Sequence, residues 1–386
     1  MINQFIFLIA NALFHILPMK RQIVFVCFEG RQYGDNPRRI AEYVHSVLPD
    51  LRLYWVIDER SKDKPIPIYL HKVLNNSLRY AWIKNRSKII VSNGAGVMLS
   101  ILSGKKKIYK PFIKKKNQLE LATWHGTPLK HIGADIPGSK YTEKTLFSSA
   151  NVLIASSEYE RKVFERAFLN RIPVDVLGYA RNDYLYQKNN IDEVKEKLGI
   201  PKGKKVALFA PTYRDDNIAM SGLNQLASII PDKLFSSLAS RFNGEWVLVY
   251  RFHNLVVRAP EMGKYIGKER FINGNLSDDM ADYLSVSDLL ITDYSGSMFD
   301  VVGSNVKCIL WVPDLREYED NRGMYLEIDR LPFPIAKDFN ELINCILYFD
   351  EENYIKNVGA FKERIGSAND GFSAKRIFDN YIRQRV

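Results

Sequence analysis

The sequence predicts an α/β protein with two Rossmann-like domains that face each other across a cleft. Three observations support this class. Short β-rich apolar runs alternate with segments of helical spacing, the alternation stops in a charged stretch near 186–204, and it then starts again. The 386 residues also exceed what one hydrophobic core usually serves. Strand–helix alternation is typical of parallel sheets covered by helices, and such sheets bind ligands at the carboxyl ends of their strands.

The first 21 residues form a separate predicted segment. Residues 2–19 carry no charge and are followed by Lys20 and Arg21. The run is marginal for a membrane span, and no basic residue precedes it as a signal peptide would require. At helical spacing Gln4, Asn11 and His15 fall on one stripe among apolar residues. Two interpretations stay open: a helix packed on its own protein, and an amphipathic helix lying on a membrane surface.

The first domain is predicted over residues 22–188. The segment 37–48 has helical spacing, with Asp35 or Asn36 as its N-cap and Pro37 at its first position, and 158–169 has the same spacing. Buried strands are predicted at six runs: 22–28, 51–57, 87–92, 119–124, 151–156 and 174–177.

The second domain is predicted over residues 200–386. Its strands are the five runs 205–211, 245–251, 269–275, 288–293 and 306–312. The repeated alternation of strands and helices predicts a second parallel sheet.

Composition narrows the function. The formal net charge is +11, from 55 Lys and Arg against 44 Asp and Glu, which favours anionic partners. Aromatic residues lie mostly inside apolar runs rather than beside the lysines of 105–116, so nucleic acid is not predicted as a partner. Those lysines are either a solvated loop or a contact for lipid head groups or pyrophosphate.

Cys27, Cys308 and Cys345 lie far apart, which predicts buried thiols in a reducing compartment.

Polar side chains collect where predicted strands end. His125, Gly126 and Thr127 follow the run 119–124, while Thr212 and Arg214 follow 205–211. The strand 245–251 ends at Arg251 and is followed by His253. An imidazole titrates near neutrality, so His125 and His253 are candidate general bases, although an isolated histidine is more often structural. Arg214 and Arg251 offer fixed positive charge suited to phosphate, although each alone also fits a surface arginine.

The turn after the strand 288–293 predicts a phosphate site. Asp293, Ser295, Gly296, Ser297 and Asp300 lead from a strand into a helical pattern. A helix N-terminus suits phosphate because its N–H groups and dipole act together. The alternative is that Ser295 or Ser297 only caps the helix. The sequence contains no metal motif and shows no required cofactor, although Asp293 and Asp300 could hold Mg²⁺, so a metal requirement stays open.

These motifs together resemble the CDP-glycerol glycerophosphotransferases of teichoic acid synthesis. The matching stretches, in chain order, are Trp124–Lys130, Ala210–Arg214, Arg251 with His253, and Thr292–Ser295. Gly178–Asp183, which contains Arg181, looks like a further family motif, and Gln32–Pro37 looks like the family's first strand–helix turn. The matches run from about residue 22 to about residue 330 and so touch both domains.

The resemblance implies a GT-B-like fold in which the second domain binds the CDP-alcohol donor and the first receives the acceptor. It implies that His125 is the general base and that Arg214, His253, the 295–297 turn and Asp300 surround the donor. The partners implied are CDP-glycerol, an undecaprenyl-pyrophosphate-linked saccharide and the cytoplasmic face of the bacterial membrane, where the enzyme would be peripheral.

Two departures from the family pattern and the length refine this expectation. Gly296 stands where the family usually has a second serine, and Ala180 replaces a proline. The length fits a single-module, primase-like or capsule-type member better than a large polymerase. A CDP-ribitol enzyme, a polymerising member and a glycosyltransferase that uses a nucleotide sugar stay open, as do the acceptor sugar and the oligomeric state.

Overall fold

The computed structural model describes residues 2–94, 98–103, 106–111, 114–138, 150–169, 172–187, 191–212, 221–252, 269–315 and 323–386. The chain forms two compact units. The first unit comprises Met1–His125, Ile132–Asp183 and Gly366–Val386, and the second comprises Gly126–His131 and Tyr184–Ile365.

The first unit is built on a seven-stranded parallel sheet with the strand order β3-β2-β1-β4-β7-β8-β9. A separate antiparallel hairpin, β5 with β6, lies between β4 and β7 in the chain. Without the hairpin, the order is that of a Rossmann sheet, with its switch point between β1 and β4. The strands are β1 (Lys20–Val26), β2 (Arg52–Ile57), β3 (Leu70–Leu74), β4 (Ser87–Ser92), β5 (Met98–Ser103), β6 (Lys106–Pro111), β7 (Leu119–Ala122), β8 (Val152–Ala155) and β9 (Val174–Val176).

Helices cover both faces of this sheet. Successive side chains of each strand point to opposite faces, and apolar side chains on both faces have to be buried. In β1, Ile23 and Phe25 pack with the helix Asp35–Val47, whereas Val24 and Val26 pack with the helix Leu78–Arg86. The described helices of this region are α1 (Ile2–Phe14), α2 (Asp35–Val47), α3 (Leu78–Arg86) and α4 (Glu158–Ala167).

The helix α1 packs on its own unit, as one of the two open interpretations predicted. Phe7 stacks on Tyr80 of α3 with ring centroids 5.9 Å apart, and Asn85 donates a hydrogen bond to Asn11. Asn11, from the predicted polar stripe, is therefore on the buried face. The outward face carries apolar side chains instead: Ile6, Ile9 and Leu13 are 41%, 45% and 63% exposed.

The second unit contains a six-stranded parallel sheet with the order β12-β11-β10-β13-β14-β15, again that of a Rossmann sheet. Its core packs Phe209 and Tyr250 against Leu234 and Leu342. The strands are β10 (Lys205–Phe209), β11 (Trp246–Tyr250), β12 (Phe271–Asn273), β13 (Leu289–Thr292), β14 (Lys307–Trp311) and β15 (Ile335–Ala336). The described helices are α5 (Ile191–Lys197), α6 (Ser221–Ser228), α7 (Pro231–Phe242), α8 (Met280–Ser285), α9 (Ser297–Asp300), α10 (Phe339–Leu347) and α11 (Glu351–Ile365).

The C-terminal segment returns to the first unit. It contains α12 (Ser373–Ile377) and a π-helical turn over Phe378–Ile382. Ile377 and Phe378 lie in the core of the first unit, and Asp183 accepts the backbone N–H groups of Ser373 and Ala374 at 2.9 and 2.8 Å. The predicted second domain, residues 200–386, therefore extends 21 residues too far, because these apolar side chains complete the first core.

The predicted fold class, two Rossmann-like α/β domains, is confirmed. Each of the eleven predicted runs overlaps a strand of the structure. Four strands were not predicted. In the parallel sheets, Leu70–Leu74 has only two buried residues and Ile335–Ala336 has two residues in all. The other two are the strands of the hairpin, β5 and β6. Cys27 and Cys308 are buried free thiols, as predicted, and Cys345 is partly buried. Among the described residues, no helix combines the length and the apolar character that crossing a bilayer requires.

Candidate functional site

His125 lies directly beyond the carboxyl end of β7, on a sharp turn. Trp124 before it has φ +50° and Gly126 after it has φ +144°, and positive φ values are strained for residues other than glycine. The N–H of Thr123 donates to the carbonyl of Ser92, the last residue of β4, at 2.8 Å. The turn therefore presents the imidazole at the edge of the sheet where a Rossmann unit binds ligands.

The hydrogen bond of the ring identifies its reactive nitrogen. Nδ1 of His125 lies 3.0 Å from the backbone oxygen of Asn93, which follows β4. A carbonyl oxygen only accepts hydrogen bonds, so Nδ1 carries the proton in the neutral ring. The rings of Phe28 and Trp124 pack against the imidazole with centroids 5.6 and 4.5 Å away. Nε2 is therefore the nitrogen that can accept a proton.

The pKa of His125 is lowered from its usual value of 6.5. The residue keeps solvent-exposed surface, but loss of water around the rest of the ring favours the neutral form and is the largest cause. The carboxylate of Asp35 acts in the opposite direction, and the Arg181 guanidinium lowers the pKa further. The lowered pKa favours the neutral ring, which is the state a general base needs.

Arg181, predicted to bind substrate phosphate, is held within the first unit beside His125. Its Nη1 donates to the carbonyl of His125 at 2.7 Å and to Oδ1 of Asp35 at 3.3 Å. Its side chain is only 11% exposed. These contacts fix the turn that carries the imidazole. Phosphate binding by Arg181 stays a prediction.

The predicted N-cap of α2 is wrong. The helix begins at Asp35 with Gly34 as its N-cap, and no side chain caps it. Asn36 instead donates to the carbonyls of Thr123 and Trp124 at 3.1 and 3.3 Å, so its amide bonds the turn before His125. Asp35 contacts Arg181, as above. Both side chains serve the histidine turn because β1 and β7 end at the same edge of the sheet.

In the second unit, Asp293 ties the ends of two strands together. Its Oδ1 accepts the N–H groups of Thr212 at 2.8 Å and Tyr294 at 2.6 Å. Thr292 donates its hydroxyl to the carbonyl of Ala210 at 2.7 Å. Asp293 is 1% exposed. These bonds hold together the ends of β10 and β13, which flank the switch point of this sheet.

The predicted phosphate turn is compact and internally bonded. The helix α9 that follows it has four residues, and Gly296 is its N-cap without a side-chain cap. Ser297 donates its N–H to Oγ of Ser295 at 3.3 Å and its hydroxyl to the same oxygen at 3.0 Å. Asp300 is buried at the end of the helix, 3% exposed. The serines therefore order the turn, and phosphate binding by its amides stays a prediction.

Gly296 has a steric reason to be glycine. A Cβ placed on it would lie 2.9 Å from the backbone oxygen of Thr127, closer than real Cβ contacts. Thr127 belongs to the segment Gly126–His131, which is part of the second unit. In that segment Leu129 accepts the N–H of Tyr325 at 2.8 Å, and His131 donates to Gly323 at 3.2 Å. The departure from the family serine thus accompanies a close backbone approach.

Arg251 is bonded to a loop of its own unit. Its Nη1 donates to the carbonyls of Gly274 at 2.6 Å and Ser277 at 2.8 Å, and its Nη2 donates to that of Asp278 at 2.9 Å. The guanidinium lies 5.0 Å from the centroid of the Tyr283 ring. Arg251 therefore orders the loop after β12, and its predicted phosphate contact stays a prediction.

Two predicted residues, Arg214 and His253, lie outside the described residues. Of the lysine cluster, Lys114 and Lys115 have described side chains with partners: Lys114 donates to Asn151 at 2.8 Å, and Lys115 donates to the carbonyl of Leu17 just beyond α1. In the described part of the chain, no three His, Cys, Asp or Glu side chains are grouped to hold a metal ion.

The sequence patterns missed Asn93 and the second role of Asp35 and Asn36. A polar residue directly after β4 was the available signal, because β4 borders the switch point of the sheet.

Known proteins resemble this chain over nearly its whole length. A family model described as CDP-Glycerol:Poly(glycerophosphate) glycerophosphotransferase matches residues 9–382. The chain is similar to a teichoic acid poly(glycerol phosphate) polymerase of Bacillus spizizenii, with 30% identity over 385 residues, covering 95% of this chain and 93% of the relative. A polymerase of the same description from Bacillus subtilis is 30% identical over 389 residues, covering 95% of this chain, but the chain spans only 49% of that relative. A solved structure of the wall teichoic acid polymerase TagF aligns with a TM-score of 0.77 and 26% identity, over 98% of this chain and 97% of that chain.

Proposed function

Because the chain belongs to the CDP-glycerol:poly(glycerophosphate) glycerophosphotransferase family, we propose that it transfers glycerol phosphate from CDP-glycerol to a hydroxyl group of a lipid-linked saccharide and releases CMP. The observation that carries the proposal is the neutral imidazole of His125, with Nδ1–H held by Asn93 and Nε2 as its proton acceptor. The proposed acceptor is an undecaprenyl-pyrophosphate-linked saccharide of teichoic acid synthesis.

In the proposed reaction the acceptor oxygen attacks the β-phosphorus of CDP-glycerol in line. The new bond joins this oxygen to the phosphorus, and the bond from that phosphorus to the bridging pyrophosphate oxygen breaks, so CMP leaves with the electron pair. Nε2 of His125 takes the proton of the attacking hydroxyl. Phosphoryl transfer depends mostly on positioning and on stabilising charge, so the chain needs no covalent nucleophile.

The second unit is proposed to bind the donor. Support comes from the ordered ends of β10 and β13 and from the 295–297 turn, which form the ligand-binding edge of a Rossmann sheet. Arg214 and His253 follow β10 and β11 in the sequence and are proposed to contact the donor's phosphates.

The test supplies CDP-glycerol and CDP-ribitol separately with an undecaprenyl-pyrophosphate disaccharide, and the products are weighed. The proposal predicts CMP release and a glycerol-phosphate adduct only with CDP-glycerol. The mass increment shows whether one unit or many are added. A ribitol-phosphate adduct would show that CDP-ribitol is the donor instead. Release of a nucleoside diphosphate from a nucleotide sugar would show that the donor is a nucleotide sugar.

The proposed reaction takes place at a membrane surface, and α1 is the proposed contact. Its buried face is occupied by α3, yet Ile6, Ile9, Leu13 and the following Ile16 are exposed, Ile16 at 87%. Exposed Lys20 and Arg21 begin β1, four residues after Ile16, and an anionic leaflet attracts such residues. An apolar helix face bordered by cations is typical of interfacial helices.

The membrane contact is tested by co-sedimentation with vesicles of phosphatidylglycerol and phosphatidylcholine. The double variant Ile9→Glu, Leu13→Glu should lose binding, because it places two carboxylates on the apolar face. A matched control, Ile68→Glu with Ile355→Glu, alters two exposed isoleucines outside α1 and should bind normally. Equal binding by all three proteins would contradict the proposed contact.

A further inference from the structure

Asn93 is buried and hydrogen-bonded through its side chain and its backbone, at the edge of the first sheet where a Rossmann unit binds ligands. It is 1% exposed, and its Oδ1 accepts the N–H of Phe28 at 2.8 Å. Its Nδ2 donates to Oδ2 of Asp35 at 2.7 Å, and its N–H donates to Val26 at 3.3 Å. These bonds fix the peptide plane of Asn93, and therefore the direction of the carbonyl that receives Nδ1–H of His125.

Asp35 has an unusual backbone for a buried carboxylate. Its φ is +60° and it is 6% exposed. Aspartate adopts positive φ more readily than most non-glycine residues, because its short side chain can bond nearby backbone groups. Asp35 is held at both oxygens, by Asn93 at Oδ2 and by the N–H of Asn36 at Oδ1.

The charged groups that act on the imidazole are Asp35 and Arg181. Asp35 favours the imidazolium and Arg181 disfavours it. The two also contact each other at 3.3 Å, so the arginine compensates the buried carboxylate in the resting state. When the ring gains a proton, the carboxylate opposes the cost of the new positive charge.

We propose that Asp35 and Asn93 are positioning residues for the base: Asn93 presents its backbone carbonyl to Nδ1–H of His125 and so fixes the tautomer, and Asp35 anchors Asn93 and stabilises the imidazolium. This inference rests on the proposed role of His125 as the proton acceptor. It resembles the orienting carboxylate of hydrolase triads, except that a backbone carbonyl lies between the carboxylate and the ring.

The first variant is Asp35→Asn, which suits the test because asparagine tolerates positive φ and keeps the side-chain shape. Loss of the charge should lower kcat tenfold or more and leave KM for CDP-glycerol unchanged. The acid limb of the kcat/KM profile should move to lower pH, because the pKa of His125 falls when a nearby carboxylate is neutralised. Asp50→Asn, at an exposed aspartate of the same unit, is the matched control and should change neither quantity.

The second variant is Asn93→Ala, which keeps the carbonyl but removes both anchoring side-chain bonds. Nitrogen NMR of the histidine rings, assigned with a His125→Gln sample, should show part of the His125 population shifting to the Nε2–H tautomer. A merely structural role would lower the thermal midpoint and leave this tautomer unchanged.

The NMR titration uses the free protein, so it separates two kinds of failure. A wild-type enzyme that releases no CMP from any CDP-alcohol would overturn the proposed function, while the His125 titration still decides whether Asp35 sets the charge of the ring. An unchanged His125 pKa in folded Asp35→Asn, or an unchanged tautomer in folded Asn93→Ala, would overturn the positioning inference. If one variant fails to fold, the result from the other decides the positioning inference. If both fail, the tautomer of His125 in the wild-type protein decides it. An Nε2–H tautomer would overturn the inference, and an Nδ1–H tautomer would support it.

Discussion

The two Rossmann-like units order the carboxyl ends of their central strands by different means. In the first unit, three ionisable side chains gather there: His125, Asp35 and Arg181. In the second unit, Asp293 accepts two backbone N–H groups and serine hydroxyls bond each other within a tight turn. Both clusters lie at the switch point or next to it, where such sheets bind ligands.

This difference is the basis for proposing different roles for the two units. A titratable ring with a lowered pKa, flanked by charges of opposite sign, suits proton transfer. A turn of backbone amides and hydroxyls, held by a buried carboxylate, suits the placement of a polar ligand without proton exchange. We therefore propose a chemical role for the first unit and a binding role for the second, on the same sheet topology.

The largest expected effect comes from His125→Ala. Removing a general base should lower kcat for CMP release by about a hundred- to ten-thousandfold. Binding of CDP-glycerol, measured by calorimetry, should be nearly unchanged, because the donor is proposed to bind to the second unit. The control His71→Ala alters an exposed histidine on β3 and should keep full activity. Full activity of His125→Ala would end the proposed division.

Arg181→Lys sharpens the comparison inside the first unit. Lysine keeps the charge but cannot reproduce the guanidinium contacts with the His125 carbonyl and Asp35. Misplacing the base should lower kcat by about ten- to a hundredfold with KM for CDP-glycerol unchanged. Arg166→Lys, at an exposed arginine of α4, is the matched control. A raised KM with normal kcat would instead support the phosphate contact predicted from the sequence.

The smallest expected effect comes from Gly296→Ala in the second unit. Gly296 has helical dihedral angles, so alanine adds only a clash with the Thr127 carbonyl. Overpacking of this kind costs about 1–3 kcal/mol of stability, which a lower thermal unfolding midpoint would reveal. Gly359→Ala is the control, because a Cβ there meets nothing within 4 Å. It should stabilise the helix α11 by about 0.5–1 kcal/mol. Equal midpoints for both variants would contradict the close approach.

The strands and the histidine turn could be predicted from sequence because both depend on local patterns. Apolar β-rich runs identified eleven of the thirteen described strands of the two parallel sheets. The residue types of 124–130 indicated a turn that presents an imidazole. The helix start at Asp35 was predicted wrongly because a cap and a tertiary contact use the same residue types. Asp, Asn and Ser are common in both roles.

The partners of His125 could not be predicted because they come from three distant segments. Asp35, Asn93 and Arg181 meet only when β1, β4 and the segment after β9 reach one edge of the sheet. The C-terminal segment was misassigned for a similar reason. Ile377 and Phe378 are apolar residues in a helical pattern, and the sequence does not show which core they join. The structure places both in the core of the first unit.

The central claim is that neutral His125 accepts a proton through Nε2. The most direct measurement compares the pH profile of kcat/KM for CMP release with the NMR titration of His125 in the free enzyme. The lowered pKa predicts a rate that is constant near pH 7 and falls on the acid side, with its midpoint below the usual value of 6.5 and equal to the NMR value. A limb midpoint above 6.5, or one that differs from the His125 titration, would contradict the claim.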